Sequence, residues 1–93
     1  GAIALDLANG KLYYIDWIGG VFSADLDGSN VANINSSMDQ NFSWGIAVDP
    51  EEGFLYIADK GNDKIIRSGL DGSAPTDWLT DVNPYAMTIY SPK

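Results

Sequence analysis

Gly45-Ile46-Ala47-Val48-Asp49-Pro50-Glu51-Glu52-Gly53-Phe54-Leu55-Tyr56-Ile57-Ala58-Asp59 reads as two short apolar strands around a turn, and the same text stands 43 residues earlier. Ala2-Ile3-Ala4-Leu5-Asp6 aligns with Gly45 to Asp49, Gly10 with Gly53, Leu12-Tyr13 with Leu55-Tyr56, and Asp16 with Asp59. One residue more in the following loop moves the offset to 44, and Leu26-Asp27-Gly28-Ser29 then falls on Leu70-Asp71-Gly72-Ser73. Matches at core and turn positions together identify an internal repeat, which decides the architecture before any single element does. Ala86-Met87-Thr88-Ile89-Tyr90 starts the same pattern again. The chain therefore divides into blade repeats at 1–43 and 44–85, with 86–93 as the inner strand of a third.

Each repeat splits into four segments. First strands are expected at 3–5 and 46–48, second strands at 11–15 and 54–58, third strands at 20–24 and 64–68, and fourth strands at 31–34 and 76–80. Gly10 and Gly53 stand where a hairpin takes a positive φ, Pro50 presets a turn, and Asp27-Gly28 and Asp71-Gly72 are hairpin turns. Strands of four to six residues at this spacing, without helical periodicity, indicate an all-β fold. A period in the forties with four strands per unit indicates propeller blades. The expectation is an all-β β-propeller element of two four-stranded antiparallel blades plus one extra first strand.

Composition removes several functions. The 93 residues include no cysteine and no histidine, and 13 acidic against 5 basic residues leave a net charge of −8. Nucleic-acid binding rests on Lys and Arg neutralising phosphates, so this balance disfavours it, and it disfavours anionic membrane surfaces as well. No apolar run reaches membrane-spanning length. Without His or Cys the usual nucleophilic triads are excluded, no cofactor is implied, and a paired-carboxylate glycosidase is left only as a formal possibility. Asp25-Leu26-Asp27-Gly28 invites a calcium reading, but the twelfth loop position is Ser36 rather than Glu, so an Asp-Gly turn accounts for it and no metal is expected. Asn35-Ser36-Ser37 and Asn41-Phe42-Ser43 are glycosylation sequons, which places Asn35 and Asn41 as candidate glycan sites of an extracellular or secreted protein. The chain begins at Gly1 rather than Met, as a processed, trimmed or excised polypeptide would.

Leu12-Tyr13-Tyr14-Ile15-Asp16 and Leu55-Tyr56-Ile57-Ala58-Asp59, each followed about eleven residues later by Leu-Asp-Gly-Ser, resemble the YWTD repeats of low-density-lipoprotein-receptor class B propellers, and also the related NHL repeats. The tetrads keep the first Tyr and the Asp. The resemblance implies six blades per ring and favours a protein or peptide ligand. It also brings the rival reading, since some six-bladed propellers of similar build are lactonase-like or strictosidine-synthase-like enzymes with a metal in the central channel.

Two blades cover one face of each sheet and leave two apolar faces open, which soluble monomers rarely tolerate. Either copies of this chain complete the ring, a homotrimer giving six blades, or the chain is part of a longer propeller. The loops after the second and fourth strands share one end of the ring and collect Trp17, Phe42, Trp44 and Tyr85 with Asn41, Asn62 and Asn83. The opposite end carries no aromatic residue in its turns. Exposed Trp and Tyr among polar groups suit a protein, peptide or carbohydrate ligand, so Trp17, Phe42, Trp44, Tyr85, Asn41 and Asn62 are the candidate ligand-binding residues. Trp44 and Tyr85, at matching repeat positions, also suit packing between blades. Tyr13, Asp16, Tyr56, Asp59, Gly28 and Gly72 recur in both copies and read as structural.

Overall fold

The computed structural model describes residues 2–16, 18, 20–35, 38 and 43–84. Strands β1 (Ala2–Asp6), β2 (Lys11–Ile15), β3 (Val21–Asp25) and β4 (Ala32–Asn33) form one antiparallel sheet in sequential order. Strands β5 (Ser43–Asp49), β6 (Phe54–Asp59), β7 (Lys64–Gly69) and β8 (Thr76–Thr80) form a second of the same topology. These are the two four-stranded meanders the repeat predicts. The extra strand expected at 86–90 lies outside the described residues.

Turn chemistry sets the strand ends. Gly10, Gly28, Gly53 and Gly72 take φ values of 67°, 88°, 80° and 83°, a region closed to most side chains. In the turn from β3 to β4, Gly28 N–H donates to Asp25 O at 2.8 Å and Asp25 N–H to Ser29 O at 2.9 Å. The β7–β8 turn repeats this with Gly72 N–H to Gly69 O at 3.0 Å and Gly69 N–H to Ser73 O at 2.8 Å. Asp27 accepts from Ser29 N–H, and Asp71 from Ser73 N–H, so each turn is closed by its own carboxylate.

Two boundaries differ from the expectation. β4 is shorter than 31–34: Ile34 keeps one bond, its N–H to Val21 O at 2.9 Å, but lies in the interface core rather than in the sheet. β5 begins at Ser43, ahead of 46–48, and a register shift between Ser43 and Gly45 leaves Trp44 out of the ladder. Such a bulge re-aims a side chain at a strand end.

The core lies between the sheets. Tyr13, Ile15, Val21 and Ile34 of blade 1 cluster with Ile46, Leu55, Ile57 and Ile66 of blade 2, and Val21, Leu55 and Ile57 have no exposed surface. Each such side chain contributes about 1.5–3 kcal/mol of burial free energy. Period-2 alternation gives every strand a second face. On blade 1 that face carries Ile3, Tyr14 and Phe22 in one cross-strand row and Leu5, Leu12 and Ala24 in the next. Ile3 and Leu5 are 62% and 53% exposed, so this apolar face is open.

Candidate functional site

Loop ends of β2, β3, β5, β6, β7 and β8 lie at one end of the two sheets, as the up-and-down topology requires. Trp44 is 46% exposed there, and its neighbour Ser43 pairs with Asp59 at the point where β6 ends. The chain then makes a single 3₁₀ turn, Lys60–Asn62, and Asp63 exits it in the left-handed region at φ 52°. Val82 N–H donates to Asp63 O at 3.0 Å, tying the segment after β8 to this loop. Lys60, Asp63, Asp81, Val82 and Asn83 line an open polar recess of about 560 Å³. The described part of the loop end therefore carries an exposed tryptophan and a recess furnished with a cation, two carboxylates and an amide.

Asp16 and Asp59 hold the loops from below. Asp16 Oδ1 accepts from Gly20 N–H at 2.8 Å and from Ile18 N–H at 3.2 Å. Asp59 is fully buried and Oδ2 accepts from the Asn62 amide at 2.9 Å. Asn62 thus has a partner within its own loop. Asn9 does the same to Asp6, its amide donating to Oδ2 at 2.8 Å. Asp-x-x-Asn is the sequence signal common to both pairs, and it reports loop closure. Trp17, Phe42, Tyr85 and Asn41 lie outside the described residues. Asn35 is half-buried, and its N–H donates to Asn33 Oδ1 at 3.0 Å.

Sequence reasoning missed a second concavity at the opposite end. A cleft of about 580 Å³ opens between the blades, with Lys11, Tyr13, Ser23 and Ile34 on one wall and Leu70 and Asp71 on the other. No spacing within one repeat announces it, because its walls come from different blades. Burial, and secondarily the charge of Asp6, push the Tyr13 phenol above its ordinary pKa. Lys11 pairs with Asp25 at 2.6 Å, and that hydrogen bond raises the ammonium and lowers the carboxyl. Among the described residues, no three Asp or Glu side chains converge as a metal site.

No family model matches the chain. Among solved structures it is similar to a chain in the crystal structure of a nidogen/laminin complex, with a TM-score of 0.79 and 27% identity. The match covers 90% of this chain and 34% of that one, so this chain spans about a third of the length of the protein it matches. With two sequential four-stranded meanders and their repeated Asp-Gly turns, that likeness makes the chain a pair of YWTD-like β-propeller blades.

Proposed function

We propose that this chain is a non-catalytic, extracellular binding module whose loop end engages a protein partner. The observation that carries the reading is Trp44: a large aromatic side chain, 46% exposed, at a bulged strand start on the same end of the sheets as a polar recess. Such aromatics rimmed by polar groups act as anchors in protein interfaces. The sequence reading adds Trp17, Phe42, Tyr85 and Asn41 as candidate members of the anchor set. Asn62 contributes by shaping the Lys60–Asn62 turn. The matched structure supports a protein ligand, because it is a complex between nidogen and laminin. In this reading the ring is completed by further blades, since two blades of the six implied by the repeat are one third, close to the share of the matched chain that is covered.

Binding to immobilised laminin and to a panel of extracellular proteins, alongside a glycan array, tests the proposal with the chain and its Trp44→Ala variant. The expected result is a protein signal that falls at least about tenfold on loss of an aromatic anchor, with an unchanged circular dichroism spectrum. A signal confined to glycans would replace the protein partner by a carbohydrate. Metal-dependent lactone hydrolysis would overturn the non-catalytic reading.

A further inference from the structure

The cleft between the blades lies at the opposite end of the sheets from Trp44, so what it holds is independent of the loop-end ligand. Two buried side chains that line it are incompletely satisfied. Tyr13 is 3% exposed, and its hydroxyl has no hydrogen-bond partner among the described residues. Asp6 is 2% exposed and accepts only from Asn9, whose N–H lies at 3.2 Å and whose side-chain amide lies at 2.8 Å. No Lys or Arg of the described residues pairs with Asp6. A buried carboxylate without an opposite charge is costly, and so is a buried hydroxyl without a partner. Lys11 on the same wall does not answer Asp6, because its ammonium is held by Asp25 at 2.6 Å. Asp71 adds an exposed carboxylate on the facing wall.

Blade 2 shows what fills the equivalent place. The repeat register sets Asp49, Phe54, Tyr56, Arg67 and Trp78 where Asp6, Lys11, Tyr13, Ser23 and Ile34 stand in blade 1. The ladders agree, since Ser23 is the cross-strand partner of Tyr13 and Arg67 that of Tyr56. In blade 2 the sheet covers its own tyrosine. Trp78 packs on Tyr56 at 4.8 Å, Tyr56 on Phe54 at 6.4 Å, and the Arg67 guanidinium lies 4.4 Å from the centre of the Phe54 ring. In blade 1 the short Ser23 stands in place of Arg67, and a space of about 580 Å³ is left beside Tyr13. Blade 1 thus keeps the aspartate and the tyrosine and lacks the guanidinium.

We propose that this cleft receives the guanidinium of an arginine side chain presented by a protein partner, with Asp6 as its counter-charge, the Tyr13 hydroxyl as a second acceptor, and Ile34 and Leu70 against its aliphatic stem. Asp6 and Asp71 make the occupant a cation. Arginine suits the site better than lysine, because its planar fork donates to two acceptors at once and its charge is more weakly hydrated, so less is lost on entering a cleft. The long apolar stem matches the apolar part of the walls. A net charge of −8 draws a basic partner towards the chain.

An NMR titration with an end-blocked Gly-Arg-Gly tripeptide tests the proposal, with the same tripeptide carrying citrulline, lysine or aspartate in place of arginine. The arginine probe is expected to give saturable shifts of the Tyr13 ring and of the Ser23 and Leu70 amides. Citrulline has the same shape without the charge and is expected to bind at least about tenfold more weakly. Ser23→Arg supplies the guanidinium from within, as blade 2 does, and is expected to abolish the shifts. Tyr13→Phe keeps the ring and removes the hydroxyl, and is expected to weaken the probe about fivefold. Both variants are checked for unchanged circular dichroism. No saturable shift at these residues, equal binding of citrulline, tighter binding of the lysine or aspartate probe, or a response that Ser23→Arg leaves intact would overturn the proposal. Trp44→Ala is expected to leave the titration unchanged, which separates this result from the loop-end reading.

Discussion

Blade 1 and blade 2 share their turns and differ in what lies against them. Gly28 and Gly72 occupy the same turn at φ 88° and 83°, yet a Cβ on Gly28 would meet nothing within 4 Å, while one on Gly72 would stand 2.0 Å from the Ile34 carbonyl oxygen. Asp16 is half-buried and closes its loop through two backbone N–H groups, whereas Asp59 is fully buried. Leu55 has no exposed surface, and its counterpart Leu12 is half-buried on an open face. Local sequence writes the blade, and the blade–blade interface decides how much each position contributes to stability.

The largest expected contrast is at the leucines. Leu55→Ala removes packing from the interface core and is expected to cost about 2–5 kcal/mol in urea unfolding. Leu12→Ala is expected to cost about 1 kcal/mol in dilute solution, where its face is open. Equal costs at low concentration would break the comparison. A Leu12 cost that grows with protein concentration would show that face becoming covered.

Next come the glycines. Alanine at either position adopts a left-handed conformation at a cost of about 1–2 kcal/mol. Gly72→Ala is expected to cost more than Gly28→Ala, because the added methyl collides with blade 1 backbone. Thermal melts of the two variants in dilute solution measure the difference, and indistinguishable melting temperatures would remove the blade contact from the account.

A smaller effect is expected at the aspartates. Asp59→Ala leaves the Asn62 amide without its acceptor beneath the loop end, at about 1–3 kcal/mol. Asp16→Ala frees backbone donors that water can reach and is expected at the low end of that range. Amide hydrogen exchange should show faster exchange across 60–63 in the first variant and across 18–20 in the second. Exchange unchanged in either loop would mean that its carboxylate does not hold it.

The smallest expected effect is in acid, and it should be alike in both blades. Hydrogen bonds from Ser29 and Ser73 hold the carboxyls of Asp27 and Asp71 below the usual carboxylate range. A depressed folded-state value stabilises the fold above the unfolded-state value and is lost as pH falls below about 4. Asp27→Asn and Asp71→Asn are each expected to flatten that acid limb slightly, measured as the urea midpoint against pH. A flattening in one blade only would mean that the turns are not electrostatic equivalents.

Much of this was legible in the sequence, for identifiable reasons. Gly28 and Gly72 announce their turns because only glycine takes that φ cheaply, and Leu12-Tyr13 against Leu55-Tyr56 sets the register of both second strands. β4 was overestimated because Ile34 has strand-like chemistry but lies in the interface core. Asn62 reads as a ligand-binding candidate, and only the geometry reveals that its amide also bonds Asp59, although Asp-x-x-Asn at 6–9 offered the same hint. The cleft beside Ser23 and Asp71 was invisible because its walls lie in different repeats.

Equilibrium urea unfolding of Leu55→Ala and Leu12→Ala side by side in dilute solution tests the central claim most directly, namely that contact between the blades decides what each repeat position contributes. The account expects Leu55→Ala to lower the midpoint several-fold more than Leu12→Ala. Equal shifts at these matching positions would contradict it.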